Sequence, residues 1–501
     1  MTVPSSAPPS AVRFDRACGA VLASAAGDAL GAPHEFGPAL PGDTPLAMTG
    51  GGALHWGPGE WTDDTQQALA VLTPLADASR CDDVVREVED GLRRWFAAGP
   101  NDVGSQTRQV LARDRQLGIG LAEAAAELQR RRPDSAGNGS LMRTGPVALA
   151  HLGDLDAVAA LAAELSALTH PHPDAVDACV LWTVAVARAI DGPTDGPTDG
   201  SPDWVGLVEA GLDHVDPARR DEWRARLAAC RTAPPESFTP NGWVVAALQA
   251  ALASLAQTEV PAGEPPCAHL RLSIERAVRI GDDADTVAAI AGALAGAHWG
   301  ATAVPYGWRR PRHGELTKVS APRTRADLDR LARLAANEGR PGPHGWPGVA
   351  TLLPHYEAVW PADPLAVAVV EGVTVGNVHA VPTQVRQVDA VVSLCRMGTD
   401  DVPQGVEHHV IGLIDQDPAQ NPNLDFVLAD TCDLVAALVE EGKRVFVHCV
   451  QAENRTPAVG AAFLVRHRGV DPAEALERVG GLVGGPRQPF LVDAVHRVHP
   501  A

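Results

Sequence analysis

An acidic segment followed at once by a long run of small apolar residues constrains this sequence more than any other feature. The segment is Gly281-Asp282-Asp283-Ala284-Asp285-Thr286, and the run after it reads VAAIAGALAGA. The run predicts a long helix built from small residues, with the acids in its first turn. Asp283 and Thr286 are three positions apart and share a face of that turn, and Asp285 can turn toward the same point.

Two interpretations of this segment are open. Acids and hydroxyls suit a helix N-cap and the positive end of the helix dipole. One acid satisfies a cap, whereas three carboxylates within four positions repel one another unless a cation lies among them. Hard oxygen ligands of this kind favour Mg²⁺ or Mn²⁺ over zinc.

A second segment far upstream has the same character. Trp61-Thr62-Asp63-Asp64-Thr65 begins another helical run, QQALAVLTPLA. Taken alone, each segment can be interpreted either as a helix N-cap or as a set of metal ligands. Together they predict one metal site shared between two helix N-termini.

Length and composition limit the number of domains and the classes of partner that this protein can have. A chain of 501 residues exceeds one ordinary core, so we expect two or three domains. The net charge of −21 argues against nucleic acid or an anionic membrane surface as the main partner. The eight cysteines form no C-x-x-C pair and show no zinc spacing, which predicts reduced thiols in a cytoplasmic protein. No apolar run approaches the length of a membrane span.

The hydrophobic periodicity and the composition of the sequence change near residue 337 and divide the chain into two parts. Helical periodicity dominates as far as residue 310, and we expect an all-α domain over residues 12–336. Proline and glycine are frequent at 337–363, which predicts a linker. Over 364–501, β-branched runs such as VDAVVSLC and KRVFVHC alternate with helical segments, which predicts an α/β domain with a mainly parallel sheet.

A glycine-rich turn in the first domain is a candidate anion site. It reads GNGSLMRTGP from Gly137 to Pro146. Its glycines let backbone amides approach an anion, and Ser140 and Arg143 add donors. A simple helix-entry turn is the alternative. Two further acids stand out, because Glu35 lies in a loop with no obvious structural partner and Asp102 is placed like a helix cap.

Six motifs stand in the order found in the ADP-ribosylglycohydrolase family, which residues 12–310 therefore resemble. They are GDALGAPHEF, WTDDTQ, GPNDVGSQT, GNGSLMRTGPVAL, LTHPHP and GDDADTVAAIAGALAGA. The family's usual last motif is G-G-D-T-D-T. In this chain Asp282 and Ala284 replace the second glycine and a threonine, while the acids and the final threonine of the metal-binding pattern remain.

The resemblance implies an all-helical hydrolase that removes ADP-ribose from a protein or a small compound, using two Mg²⁺ ions, with Mn²⁺ as an alternative. It implies Glu35 and Asp102 at the sugar and the catalytic water, and His170 near the ribose. The turn at Gly139 and Ser140 would lie along the diphosphate. The implied metal ligands are Thr62, Asp63, Asp64, Asp283, Asp285 and Thr286, and the implied substrate-binding set is Asn138, Gly139, Ser140, Arg143 and His170. The linkage that is cleaved stays open among arginine, serine, a base and a small molecule.

The second domain contains a cysteine, five residues and an arginine, in HCVQAENRTP from His448 to Pro457. This pattern, after a strand and before a helix, resembles the dual-specificity and tyrosine phosphatases. The resemblance implies Cys449 as a thiolate nucleophile, Arg455 as a bidentate phosphate ligand and Thr456 as an aid to thiolate release. The general acid is expected at Asp415, with Asp417 as the second candidate.

Two residues of this loop depart from the phosphatase pattern. Ala452 stands where the family usually has glycine, and Glu453 adds negative charge beside a site for a dianion. We expect the Glu453 side chain to point outward, since the amides of such a loop line its concave side. The chain is therefore interpreted as a glycohydrolase fused to a phosphatase-like domain that acts on a phosphoprotein. The alternatives are an inactive phosphatase-like module, and a regulatory protein that binds ADP-ribose and phosphate without turnover.

Overall fold

The structure, a computed structural model, describes residues 11–79, 83–192, 202–310, 313–314 and 323–501. The described chain forms two compact units. The first takes in the described residues up to Val304 and from Trp308 to Arg340, and the second takes in Pro305–Gly307 and Pro341–Ala501. Among the described residues, no helix combines the length and the apolar character needed to cross a membrane. The seven described cysteines are buried free thiols, and Cys81 lies outside the described residues.

Helices make up most of the chain before residue 340. In chain order the α-helices are α1 (Ala11–Gly31), α2 (Asp63–Leu75), α3 (Val84–Ala97), α4 (Ser105–Leu117), α5 (Leu121–Arg131), α6 (Leu141–Thr144), α7 (Leu155–Ala167), α8 (Pro173–Ile190), α9 (Trp204–Glu209), α10 (Arg220–Ala229), α11 (Val244–Ala256), α12 (Ala268–Val278), α13 (Ala284–Trp299), α14 (Tyr306–Arg309) and α15 (Arg325–Ala335). The described residues of this part of the chain also include one antiparallel strand pair, β1 (His313–Gly314) with β2 (Arg323–Thr324). This strand pair departs from the all-α expectation, because strands of two residues are too short to show alternation in the sequence.

Helices α1 and α13 pack with their backbones in close contact. A Cβ atom added at Gly27 would lie 2.2 Å from the carbonyl oxygen of Ala288, and one at Gly31 would lie 2.3 Å from the Cα of Asp285. Only glycine permits backbones to approach so closely. The small-residue run therefore brings the end of α1 directly against the acidic first turn of α13.

The second unit is an α/β unit with a five-stranded mixed sheet. Its strands are β3 (Ala366–Val370), β4 (Val373–Asn377), β5 (Ala390–Ser393), β6 (Glu407–Val410) and β7 (Val445–Cys449), and its helices are α16 (Leu353–Val359), α17 (Val381–Gln384), α18 (Leu424–Glu440), α19 (Arg455–Arg468), α20 (Pro472–Val483) and α21 (Pro489–His496). The strand order is β3-β4-β7-β5-β6. Only the β3–β4 pairing is antiparallel in this sheet, because the run AVAVVEGVTVGN turns back on itself at Gly372, where φ is +80°.

Most of the predicted linker at 337–363 lies inside the second unit, which starts at Pro341. Leu352 and Tyr356 are buried in a cluster with the sheet residues Val391 and Phe446. The Tyr356 hydroxyl donates a hydrogen bond of 2.7 Å to the carbonyl oxygen of Arg396. The proline and glycine content of this segment therefore reflects its irregular backbone, and its apolar residues contribute to the core of the second unit.

Candidate active sites

The first acidic segment is held at the start of α2 by a carboxylate from α1. Asp28 is fully buried, and its carboxylate accepts hydrogen bonds from the Thr62 amide at 2.8 Å and from the Thr65 hydroxyl at 2.6 Å. The Thr62 hydroxyl in turn accepts from the Asp64 amide at 3.4 Å. The helix start is thus capped by Asp28 and Thr62, which leaves Asp63 and Asp64 available for other contacts. Sequence reasoning missed Asp28, although an acid within the alanine-rich second half of α1 was a usable signal.

The second acidic segment begins α13, and its acids differ in role. Asp283 occupies the N-cap position but its side chain caps no amide of the helix. Instead, its Oδ2 accepts a hydrogen bond of 2.7 Å from the Asn138 side chain, and its amide donates to Asn241 Oδ1 at 3.0 Å. Asp285 Oδ1 accepts from the Thr286 amide at 2.9 Å. A helix cap therefore does not account for the Asp283 carboxylate.

The structure brings the two acidic segments together, although they are more than 200 residues apart in sequence. The Thr286 hydroxyl donates to Asp64 Oδ2 at 3.2 Å, and the Thr62 hydroxyl lies 3.3 Å from the same oxygen. Carboxylate oxygens of Glu35, Asp283 and Asp285 all lie within 4.8 Å of one another. Glu35 reaches the cluster from the loop after α1.

The electrostatics of this cluster favour a bound cation. Burial, followed by the charge of Asp102, raises the pKa of Glu35 to about 9. Burial and neighbouring carboxylates raise the pKa values of Asp64 and Asp285 well above the usual range of an aspartate. Oε2 of Glu35 and Oδ1 of Asp64 are buried without a hydrogen-bond partner. Buried oxygens that lack partners, in a set of carboxylates and hydroxyls, fit a hard divalent cation such as Mg²⁺.

The glycine-rich turn lies beside the cluster, but two of its side chains face away from a ligand. The Ser140 hydroxyl is fully buried and accepts from Ser166 at 3.0 Å. Arg143 is 1% exposed, and its guanidinium donates to Gln67, to Thr169 and to a backbone carbonyl. The expectation that Arg143 binds substrate is corrected by this burial, because its donors are directed to protein acceptors. Asn138, another expected substrate ligand, orients the Asp283 carboxylate.

His170 lies beneath the same turn. A Cβ atom added at Gly139 would be 3.1 Å from Cε1 and 3.3 Å from Nε2 of this imidazole. Burial, and then the nearby charge of Arg143, lowers the pKa of His170 to about 3, so the ring is neutral. His170 is therefore a neutral hydrogen-bonding group just under the turn.

Asp102 and two aromatic residues lie around the cluster. Asp102 does not cap α4, which starts after Gly104 with no side-chain cap. Burial raises the pKa of Asp63 and of Glu35, and the charge of Asp102 adds to both shifts. Phe36 is 63% exposed, and its amide donates to the carbonyl oxygen of Asp282 at 2.7 Å. Trp243 is 40% exposed and forms a β-bridge with Gly137 of the glycine-rich turn. Sequence reasoning missed both aromatic residues, because their exposure depends on loops that meet only in the fold.

The candidate phosphate loop of the second unit runs from Cys449, the last residue of β7, to Arg455, the first residue of α19. Arg455 donates to the carbonyl oxygens of Leu394 at 2.6 Å and Leu413 at 3.3 Å, which follow β5 and β6. Its Nε lies 3.1 Å from Asp415 Oδ2. The carboxyl ends of three parallel strands therefore position Cys449, Arg455 and Asp415 around one loop.

The remaining predicted residues of this loop have distinct contacts. Asp417 caps a short 3₁₀ turn by accepting from the Ala419 amide at 3.0 Å, so of the two acids it is Asp415 that contacts Arg455. The Thr456 hydroxyl is buried and donates to the carbonyl oxygen of Gly376 at 3.2 Å. Glu453 points outward as expected, since its carboxylate pairs with Arg487 at 3.0 Å and its side chain is 38% exposed.

Ala452 has a backbone conformation that favours glycine. Its φ is +58° and its side chain is fully buried. A left-handed conformation costs an alanine roughly 1–2 kcal/mol. The loop therefore carries strain where the sequence departs from the phosphatase pattern.

Comparison with known proteins gives the two units different relatives. Residues 9–343 match the family model described as ADP-ribosylglycohydrolase. The chain is 31% identical to the ADP-ribosylarginine hydrolase Tri1 of Pseudomonas putida, over 59% of this chain and 73% of that protein. It is also 30% identical to an ADP-ribosyl-dinitrogen reductase glycohydrolase of Rhodospirillum rubrum, over 59% of this chain and 89% of that protein.

Two further similarities concern a solved structure and the phosphatase-like motif. A structure titled ADP-ribosylglycohydrolase-related protein complex shares 30% identity with a TM-score of 0.50, over 65% of this chain and 99% of that chain. A stretch of this chain is 31% identical to human dual specificity phosphatase 28, over 24% of this chain and 70% of that protein. The phosphatase similarity covers a minor part of the chain, whereas the first match covers well over half of it. The chain belongs to the ADP-ribosylglycohydrolase family of glycosidic-bond hydrolases.

Proposed function

We propose that this protein removes ADP-ribose from arginine side chains of proteins in a Mg²⁺-dependent reaction. The observation that carries the proposal is the contact between the two acidic segments, with Thr286 bonded to Asp64 and buried carboxylate oxygens left without partners. The relatives support the arginine linkage, because one is named an ADP-ribosylarginine hydrolase. A protein that only binds ADP-ribose has no evident need for so many buried, mutually repelling acids.

Six residues would hold the metal, and others orient them. The proposed ligands are Thr62, Asp63, Asp64, Asp283, Asp285 and Thr286, with two Mg²⁺ ions or, alternatively, Mn²⁺. Asp28 fixes the start of α2, and Asn138 fixes the Asp283 carboxylate. Bound Mg²⁺ would supply the positive charge that lets these carboxylates ionise together, and would polarise the oxygens it contacts.

The chain's own acids suit the cleavage of a glycosidic bond. Such a reaction passes through an oxocarbenium-like state and needs a base for the attacking water. Asp102 is half-buried beside Asp63, where it can accept the proton of that water. Glu35 lies within the carboxylate group and can stabilise the positive charge that develops on the sugar.

The residues around the carboxylate cluster offer contacts for the ADP part of the substrate and for the modified arginine. The turn from Gly137 to Gly139 offers a backbone surface for the diphosphate, with His170 beneath it. Trp243, bridged to that turn, offers an aromatic face on which an adenine can stack. Phe36, whose amide donates to the carbonyl oxygen of Asp282, offers a face to the arginine guanidinium, and a cation over an aromatic ring contributes about 0.5–1 kcal/mol at an exposed site.

The test measures ADP-ribose released from an arginine-ADP-ribosylated protein, with and without Mg²⁺. We expect release to require the metal and Asp283→Asn to abolish it, since this change removes the charge and keeps the shape. Asp221→Asn, at an exposed acid of α10, is the matched control and should leave release unchanged. If the full chain binds ADP-ribose but releases none with Mg²⁺ or Mn²⁺ present, the protein is a reader and the proposal is wrong.

A second activity is supported by the geometry of the Cys449 loop. Arg455 is held by two strand-end carbonyls and paired with Asp415, and the sequence there resembles a dual specificity phosphatase. We propose that Cys449 attacks a phosphate monoester while Asp415 protonates the leaving oxygen. Turnover of a small aryl phosphate by the wild type, its loss in Cys449→Ser, and its retention in Glu453→Gln are the expected results. Equal background rates in all three proteins would leave an inactive phosphate-binding module.

A further inference from the structure

A buried hydrogen-bond chain centred on Arg143 crosses the glycohydrolase site. In one direction, Arg143 donates to Gln67 Oε1 at 2.8 Å and Gln67 Nε2 donates to Asp63 Oδ2 at 2.8 Å. In the other direction, Arg143 donates to the Thr169 hydroxyl oxygen at 2.7 Å, and that oxygen lies 2.7 Å from His170 Nδ1. All five residues are buried.

The first arm of this chain has only one consistent hydrogen-bond direction. A guanidinium carries donors and no acceptor. Gln67 must therefore turn its carbonyl oxygen toward Arg143 and its amide hydrogens toward Asp63. This assignment removes the usual ambiguity between the oxygen and nitrogen of a glutamine side chain. Oδ2 of Asp63 therefore accepts a hydrogen bond from Gln67 Nε2, and this contact favours the ionised carboxylate.

The second arm is directed by the same argument. A hydroxyl has one hydrogen and two acceptor positions. The Thr169 oxygen accepts from Arg143, and among the hydrogen bonds of the described residues the only other partner of this hydroxyl is His170 Nδ1, so its single hydrogen is directed to that nitrogen. An imidazole nitrogen that accepts a hydrogen bond carries no hydrogen, and a neutral ring then carries its hydrogen on Nε2. Burial holds His170 in the neutral form. Its Nε2 faces the glycine-rich turn, where a Cβ at Gly139 would be 3.3 Å away.

We infer that Arg143 is a positioning residue that sets the hydrogen-bond direction of both halves of the site. It makes Gln67 donate to the proposed metal ligand Asp63. It also makes His170 present an Nε2–H donor to an acceptor oxygen of the ADP-ribosyl group at the glycine-rich turn. The roles of metal ligand and substrate donor rest on the proposed function, whereas the hydrogen-bond directions do not.

Two substitutions separate the arms without removing the buried cation. Thr169→Val deletes the hydroxyl that directs His170, and Gln67→Met deletes the amide that supports Asp63. The matched controls are Thr73→Val, whose hydroxyl donates to the Leu69 carbonyl oxygen of its own helix, and Gln109→Met, whose amide is exposed on α4. All measurements use the full chain. They are the ¹⁵N chemical shifts of His170, Mg²⁺ binding by calorimetry, and ADP-ribose binding by calorimetry.

We expect wild-type His170 to show a protonated Nε2 and an unprotonated Nδ1. Thr169→Val should lose this preference and bind ADP-ribose roughly five- to tenfold more weakly, with Mg²⁺ affinity unchanged. Gln67→Met should weaken Mg²⁺ binding by a similar factor and leave the His170 tautomer intact. Both controls should match the wild type in all three measurements.

Three results would overturn the inference. They are a wild-type His170 protonated on Nδ1, a Thr169→Val protein that loses Mg²⁺ affinity as much as ADP-ribose affinity, and a Gln67→Met protein with unchanged Mg²⁺ affinity. Failure of the proposed function looks different. In that case the tautomer result holds, and no arginine-linked substrate is cleaved.

Discussion

The contact between Gly31 and Asp285 predicts that Gly31→Ala damages both stability and metal binding. The new Cβ would lie 2.3 Å from the Cα of Asp285 and 2.6 Å from its amide nitrogen. Nonbonded carbon atoms settle at about 3.5–4.0 Å, so α1 and α13 must separate by roughly 1 Å or more. No rotamer change relieves this clash, because the backbone fixes the position of the new Cβ and its two nearest neighbours are backbone atoms of Asp285.

The expected cost follows from that displacement. Overpacking a dense core costs about 1–3 kcal/mol, and a backbone clash belongs at the upper end of this range. Displacing a proposed metal ligand should also lower Mg²⁺ affinity by roughly tenfold or more, as do changes in the residues that support metal ligands. The measurements are urea unfolding of the metal-free protein and calorimetric Mg²⁺ titration.

A matched control separates this mechanism from the general effect of alanine in place of glycine. Gly481 lies in α20 with open space around its Cβ position, so Gly481→Ala should stabilise the second unit by about 0.5–1 kcal/mol. Unfolding and Mg²⁺ affinity that are unchanged in Gly31→Ala would refute the argument that glycine contact positions Asp285.

Three further predictions concern other groups. Burial lowers the pKa of His269 to about 4, so between about pH 4 and 6.5 the unfolded chain binds a proton there that the folded chain does not. The free energy of unfolding should therefore fall as pH drops from about 6.5 toward 4, by roughly 3 kcal/mol for this group. His269→Phe should flatten that part of the curve of unfolding free energy against pH, whatever the absolute stability of the variant. Asp415→Asn should lower aryl phosphate turnover roughly 100-fold or more, and Asp417→Asn should leave it within twofold; equal losses would mean that contact with Arg455 does not identify the general acid. Ala452→Gly should relieve the strain of the positive φ and stabilise the second unit by about 0.5–1 kcal/mol in urea unfolding. The control Ala436→Gly, inside α18, should destabilise the unit by about 1 kcal/mol. A destabilised Ala452→Gly protein would contradict the assignment of strain.

The sequence by itself predicted the proposed sites, because the relevant signals are local. The repulsion expected among Asp282, Asp283 and Asp285 follows from spacing alone, and it predicted a cation site; in the structure Asp283 and Asp285 join the cluster, whereas Asp282 is exposed. The run of alanine and glycine after them predicted a helix that others could approach closely. In the same way, the spacing of Cys449 and Arg455 after a β-branched run was enough to indicate a strand, a loop and a helix.

The tertiary structure alone decided which groups face the site and which support it. Arg143 was expected at the substrate, yet its neighbours in space come from α2 and from the end of α7, so its donors point away from any ligand. Asp28 stands out little in the sequence, and its capping of α2 depends on how α1 packs against the start of α2. Sequence spacing reports which side chains share a face of one element. Contacts between distant elements depend on packing, and here they are set by glycine contacts that bring α1 against α13.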